Sequence, residues 1–198
     1  VNIPSWEEVH LKKILENTFN LPVHINNDVN CFILGEHQHG AARGYEAAVA
    51  LSTGTGLGAG IVINNTLYNG NNSGAGEIGL IPYLDHDLEF YCSSAFFSEL
   101  HNVDGENAYI AAIHGDKDMV NIWNAFGKHM AQAIKTIVLA YDPQIVILGG
   151  SISSAYSLFK DSMHEHLKDF AFKRSIERLV IRQSENKDSS ILGAASLF

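Results

Sequence analysis

The chain has 198 residues, a formal net charge of −9, 46% hydrophobic and 18% charged residues, a balance that suits one large globular unit and excludes a disordered chain. Its 13 Lys and Arg are spread without a cluster against 22 Asp and Glu, which argues against nucleic acid held by its phosphates. No apolar run approaches bilayer length, and the first residues lack the basic-then-apolar pattern of a signal peptide, so a cytoplasmic location with no membrane partner is expected.

Ser5 and Glu8 fit a capping box that opens an amphipathic helix over residues 7–18. Residues 21–25 read as a short strand ending in Asn26-Asn27-Asp28, and a helix over 29–42 follows. Strand-to-helix junctions at the C-terminal edge of a sheet are where ligands sit in open α/β folds. Two readings stand there: a helix cap by Asn27 or Asp28, or a catalytic carboxylate at Asp28. Gly44 and Tyr45 mark a boundary between residues 1–44, helix-strand-helix, and residues 45–198.

Three strands follow at 47–52, 58–63 and 66–68, the last two joined by an Asn64-Asn65 turn. Thr53-Gly54-Thr55-Gly56 lies between the first two, so it is a hairpin rather than a strand-to-helix loop, and it has no Lys; a P-loop and a dinucleotide fingerprint are both excluded. Glycines still let backbone N–H groups approach a phosphate, with the Thr53 and Thr55 hydroxyls as further donors. The plain alternative is a tight turn without a ligand. Glu77 sits between Gly76 and Gly79, where backbone comes close to a ligand or where an exposed turn needs no function.

Residues 82–90 are irregular, and helices are expected at 93–100, 106–114 and 116–141. The last carries Met119, Ile122, Trp123, Phe126, Met130, Ile134, Ile137 and Val138 on one side, and Pro143 ends it. Residues 144–148 read as a strand buried in a parallel sheet. Gly149-Gly150 then turns the chain into a helix over 154–172, either as a plain helix entry or as bare backbone for a base or ribose. A strand at 179–183 and a small-residue helix over 191–198 close the chain. The order from Tyr45 is β-β-β-α-β-α-β-α with a helical insertion after the third strand and helices on both faces. Cys31 and Cys92 form no CxxC pair and read as reduced thiols. The pairs His37/His39 and His164/His166 fall two apart in helical segments, point in different directions, and read as solvated.

Taken together and in order, Asn26-Asn27-Asp28-Val29-Asn30, Ser52 to Gly60, Gly74-Ala75-Gly76-Glu77-Ile78-Gly79, Ile147-Leu148-Gly149-Gly150 and Leu192-Gly193-Ala194-Ala195 resemble the ROK family of sugar kinases and sugar-responsive repressors. The resemblance implies an actin-like ATPase (ribonuclease H-like) fold, with residues 1–44 the end of an N-terminal lobe and 45–198 the C-terminal lobe. It implies Asp28 as catalytic base, Asn27, Glu77 and Glu99 as sugar ligands, Thr53, Gly54, Thr55 and Gly56 at the nucleotide phosphates, and Gly149 and Gly150 at the adenosine. It implies ATP and Mg²⁺, a hexose or N-acetylhexosamine substrate, and a homodimer. Phosphoryl transfer asks for such groups, since positioning and charge neutralisation carry most of it.

Two departures stand out. Leu80, Phe90 and Phe97 replace a His and two Cys of the family's zinc site, so no structural zinc is expected, and Leu80, Phe90, Phe96 and Phe97 are expected to fill that volume. No Asp-x-Gly-Gly-Thr segment occurs, so the chain is expected to be a fragment of a longer kinase, inactive alone. The alternative is the sugar-sensing domain of a repressor, and a third reading is a dimerisation scaffold.

Overall fold

The computed structural model describes residues 9–198, so the Ser5–Glu8 box lies outside the described residues. Helix α1 (Leu11–Phe19) ends at Asn20 in the left-handed conformation. The strand expected at 21–25 does not form: no described strand pairs with the segment, and Leu21 and Ile25 remain exposed. Helix α2 (Asp28–His39) follows, capped by Asn27. It stops three residues short of expectation at Gly40, where the Glu36 carboxylate takes the Ala41 N–H at 2.9 Å.

The main sheet holds β1 (Ala48–Thr53), β2 (Leu57–Ile63), β3 (Thr66–Leu67), β6 (Ile145–Gly149) and β7 (Val180–Gln183) in the order β3-β2-β1-β6-β7. β1, β2 and β3 are antiparallel neighbours, and β1, β6 and β7 are parallel. Asn64 and Asn65 both take positive φ, 51° and 60°, the conformation a type I′ hairpin demands. The sheet and its order match the expected α/β architecture.

Alternation sorts the strand side chains to two cores. Ala48, Ala50, Ile145 and Ile147 face Phe32 and Ile33 of α2. Val49, Leu51, Val146 and Leu148 face the other way, into the larger core built on α5 (Lys117–Tyr141) and α6 (Tyr156–Leu167). With both faces covered, these strands read as unbroken apolar runs. The expected apolar side of α5 is confirmed at Trp123, Phe126, Met130, Ile134, Ile137 and Val138, all buried, and Asp116 caps the helix.

On the α2 face the last helix, α8 (Ser189–Ala195), crosses α2 with backbone against backbone. A methyl group added at Gly193 would lie 1.7 Å from the Cys31 carbonyl oxygen, and one at Gly35 would lie 1.8 Å from that of Ser189. The small-residue run near the C-terminus is there to permit this approach.

The insertion after β3 departs most from expectation. The irregular stretch contains a hairpin of β4 (Pro82–Tyr83) and β5 (His86–Asp87), then a short helix α3 (Leu88–Cys92) capped by Asp87. The helix expected at 93–100 forms from Ser94, after a bend at Ser93 that separates it from α3, and turns π-helical over Phe96–Leu100. The reason lies in β1 and its turn: the Thr53 hydroxyl donates to the Cys92 carbonyl and the Ser94 N–H donates to the Gly54 carbonyl, occupying groups a continuous helix would use. Helix α4 (Gly105–Ile113) follows as expected. The helix expected over 154–172 is shorter than expected: a 3₁₀ turn, Ser151–Ala155, precedes α6, which ends at Leu167, and a further helix, α7 (Lys173–Arg178), follows beyond the expected span. Between α6 and α7, Phe170 turns into the core, which requires the chain to leave the helix axis.

Phe96 and Phe97 are fully buried and Phe90 is half-buried, but Leu80 is 64% exposed and belongs to no core. In place of Leu80, the expected phenylalanines are joined by rings that sequence reading did not assign: His86 stacks on Phe90 at 3.9 Å, and Tyr91 and Phe96 pack on His129 of α5. Cys92 is wholly buried, which raises its thiol pKa, so it is an apolar filler.

Two outcomes follow from this packing. Gly193→Ala should destabilise the chain by roughly 2–3 kcal/mol, read by urea unfolding, because the α2–α8 backbones would have to separate. His129, which shares a hydrogen bond with the Tyr83 hydroxyl at 3.1 Å, has its pKa lowered to about 4 by burial first and then by Lys128, His101 and His166. The unfolded His binds a proton near its ordinary 6.5. Its neutral form therefore contributes stability above that pH, and the contribution is lost as pH falls from there towards 4. Thermal unfolding of His129→Gln should show a smaller loss between neutral pH and pH 5 than the parent, and equal losses would refute the assignment.

Candidate functional site

Because β1, β6 and β7 are parallel, their carboxyl ends lie along one edge, which is where clefts form in open α/β sheets. Three pieces of backbone meet there: the Thr53–Gly56 hairpin after β1, the Gly149–Gly150 turn after β6, and the loop from β7 into α8. The N-terminus of α2 reaches the same edge. A cavity of about 390 Å³ opens between them, lined among others by Asp28, Ser52, Gly149, Gly150, Ser151 and Lys187.

At the start of α2 the two readings of the sequence resolve into two residues. Asn27 is the cap: its Oδ1 accepts the N–H groups of Val29 at 2.8 Å and Asn30 at 3.3 Å. Asp28 is exposed, accepts the Val29 N–H at 2.9 Å, and lines the cavity. The cap is thus supplied by the neighbour, and the Asp28 carboxylate is turned to the cleft. Glycines of β2 let α2 come this close, since a methyl group at Gly60 would meet the Val29 carbonyl oxygen at 2.4 Å.

The hairpin is only partly what the residues suggested. Thr53 is fully buried and its hydroxyl is committed to the Cys92 carbonyl, so it offers no donor to a ligand. Thr55 is exposed at the tip. The Gly54 N–H bonds the Gly56 carbonyl, whereas the N–H groups of Thr55 and Gly56 have no backbone acceptor among the described residues. A methyl group at Gly56 would lie 2.6 Å from the Glu89 carboxylate, which would have to move aside.

The Gly149–Gly150 pair is explained first by the protein itself. An added methyl group at Gly149 would lie 2.4 Å from the Phe32 ring, and Gly150, at φ 83°, would meet the Thr53 carbonyl oxygen at 2.2 Å. The turn is packed tightly on the hairpin, and Ser151 follows it into the gap. The Ser151 Oγ lies 3.1 Å from the methyl position at Gly54 and makes no side-chain hydrogen bond among the described residues, whereas the Ser153 and Ser154 hydroxyls are spent on the Gly150 and Ser151 carbonyls.

Glu77 is exposed on a turn clamped along the free edge of β2: the Gly76 carbonyl accepts the Ala59 N–H at 2.8 Å, and Gly79 approaches the Leu57 carbonyl. That turn is tied back to α2, since the buried Asn30 donates to Asn69 Oδ1 at 3.1 Å and to Asn26 Oδ1 at 2.9 Å. Glu77 lies outside the cavity that holds Asp28. Glu99 lines a different cavity, of about 320 Å³, together with Thr55, His86, Glu89 and Ser93.

Sequence reading missed four contributors. Glu89 accepts the Leu57 N–H at 2.9 Å and stands beside Gly56 and Gly79, closer to the hairpin than its position in an irregular stretch announced. Lys187 brings a cation to the cleft. Trp123 lines a cavity of about 520 Å³ with Phe97, Tyr109 and Asp104, and this cavity shares Ser151 and Ser154 with that of Asp28. The buried Trp123 Nε1 has no hydrogen-bond partner among the described residues. Glu36, 1% exposed, accepts the Ser184 and Ser189 hydroxyls at 2.6 Å each and so fixes the loop that carries Lys187. A lone carboxylate after Phe32-Ile33-Leu34-Gly35 was the one sequence signal for it.

Comparison with known proteins places this arrangement. The chain is 31% identical to an uncharacterized protein of Clostridium perfringens, over 85% of this chain and 60% of that protein. It is 27% identical to a glucokinase of Thermotoga maritima, over 99% of this chain and 72% of the glucokinase. It is 28% identical to a xylose repressor of Caldicellulosiruptor bescii, over 95% of this chain and 54% of the repressor. The chain therefore spans between about half and three quarters of the length of these relatives.

Among solved structures, a ROK family glucokinase from Streptomyces griseus, in complex with glucose and AMPPNP, superposes with a TM-score of 0.82 at 23% identity, covering 98% of this chain and 73% of that one. A ROK family transcriptional regulator superposes with a TM-score of 0.85 at 24% identity, covering 93% and 54%. At these identities the superpositions carry the fold, which is the actin-like ATPase fold. The ROK family model itself matches residues 1–198, and the chain belongs to the ROK family.

Proposed function

We propose that this chain supplies the catalytic base and half of the nucleotide cleft of an ATP-dependent sugar kinase. The observation that carries the reading is that the Asp28 carboxylate and the Gly150–Ser151 turn share one cavity beside the hairpin. In this reading residues 1–44 end a first lobe and 45–198 form the second. Asp28 takes the proton from a sugar hydroxyl as that oxygen attacks the terminal phosphate of ATP. The Thr55 and Gly56 N–H groups and the Ser151 hydroxyl hold phosphate oxygens, with Lys187 adding charge.

The neighbouring cavity takes the nucleoside, its base lying beside Phe97, Tyr109 and Trp123. Glu77, Glu89, Glu99 and the Asn27 amide nitrogen surround the sugar, whose hydroxyls pair with carboxylates as donors. A Mg²⁺ in this reading would be held mainly by the nucleotide's phosphate oxygens and would neutralise their charge.

The relatives also include xylose repressors, and a repressor's sensing domain would bind sugar without transferring phosphate. The protein carrying this chain should release ADP in a sugar-dependent reaction, and Asp28→Asn should lower kcat about a hundredfold or more with little change in sugar affinity. Sugar binding with no ADP release would favour the sensor, and undiminished turnover in Asp28→Asn would remove Asp28 from the chemistry. AMPPNP should alter the intrinsic fluorescence of this chain, and Trp123→Phe should abolish that change while weakening AMPPNP binding. A nucleotide response unchanged in Trp123→Phe would place the base elsewhere.

A further inference from the structure

At the end of β6 and β7 opposite the candidate cleft lies a cavity of about 420 Å³, lined among others by Tyr45, Asp142, Gln144, Arg174, Ser175 and Arg178. Arg174 and Arg178 are two of the four arginines in the chain. They stand four residues apart on α7, so their guanidinium groups share one helix face. In a chain with 22 acidic residues against 13 basic ones, an exposed arginine has no shortage of carboxylates to meet. Yet neither guanidinium makes an ion pair or a side-chain hydrogen bond among the described residues.

The floor of the cavity is fixed. Gln144 donates its N–H to the Ala47 carbonyl at 2.9 Å, and its own carbonyl takes the Val180 N–H at 3.0 Å. Its side-chain Oε1 accepts the Ala47 N–H at 3.1 Å, so the two N–H bonds of its amide nitrogen are left to the cavity side. Tyr45 is held by its N–H on the Ala42 carbonyl and by its carbonyl on the His37 ring, and its hydroxyl is unpartnered among the described residues. Against these donors stands one carboxylate, Asp142, at the C-terminal cap of α5.

We infer that this cavity is a second ligand site, for a phosphate monoester carried on a hydroxylated carbon skeleton. Two planar guanidinium forks on one helix face match the oxygens of a phosphate in bidentate fashion, and a fixed amide donor completes the cradle. Asp142 would repel a bare anion, but it accepts a hydrogen bond from a hydroxyl on the attached skeleton. A volume of this size holds a sugar phosphate. The site is independent of the cleft, from which it is separated by the length of β6, roughly 17 Å at the usual strand rise.

Isothermal titration of this chain at low ionic strength with glucose 6-phosphate, inorganic phosphate and glucose tests the assignment. Glucose 6-phosphate should bind more tightly than inorganic phosphate, and prior saturation with glucose should not block it. Arg174→Gln/Arg178→Gln should weaken glucose 6-phosphate binding about tenfold or more, and Arg174→Lys/Arg178→Lys, which keeps the charge but not the fork, should lose an intermediate amount. Both arginines are exposed, so the unfolding temperature without ligand should hold in all variants. Affinity unchanged in both double variants would place the phosphate in the cleft and overturn the proposal, as would the absence of any phosphate binding.

Discussion

Thr53 is the residue on which the candidate site depends. It is wholly buried at the end of β1; its hydroxyl holds the Cys92 carbonyl and its own carbonyl packs against Gly150. One side chain and one peptide unit thereby join the hairpin, the insertion and the turn after β6. The buried hydroxyl must be paired, and its partner lies 39 residues away, while the close packing of the Thr53 carbonyl on Gly150 reaches nearly a hundred residues along the chain; together they fix three distant segments to one another. The break between α3 and the helical turn that follows, at Ser93, is a consequence of that demand.

A second constraint acts on the opposite face. The glycines at 35 and 193 bring α2 and α8 to backbone contact, and Glu36 closes the joint by accepting two serine hydroxyls from the segment leading into α8. A buried carboxylate with no ion pair among the described residues is tolerable when its oxygens are hydrogen-bonded, and three donors meet Glu36. The joint matters beyond stability, since α2 carries Asp28 at its start and the loop before α8 carries Lys187. Both line the cleft, and both are positioned by residues on the far side of the same two elements.

The place where this chain lacks the family's zinc ligands shows how a fold keeps its shape after such a change. Rings of His86, Phe90, Tyr91, Phe96 and His129 stack and edge against one another where charge and coordination would otherwise hold the insertion. Leu80, expected to join them, points to solvent because its neighbours Ile78 and Gly79 are the residues drawn into the sheet edge. Its exposure beside Glu77 leaves an apolar surface on the rim of the proposed sugar site.

The amino-acid sequence by itself determined the five strands of the main sheet, the long helix α5, the hairpin between β1 and β2 and a cap among the polar residues before α2, because each is written in local periodicity, in a turn residue or in a short side chain beside a helix start. It also determined which glycines matter, though not why. What only the tertiary structure decided is which groups are free. Thr53 and Thr55 are the same residue type two apart, yet one hydroxyl is buried and spent while the other is exposed; Glu89 in an unpatterned stretch stands nearer the hairpin than the more conspicuous glycine-flanked Glu77. Burial and hydrogen-bond partners are set by segments far apart in the chain, and no local pattern records them.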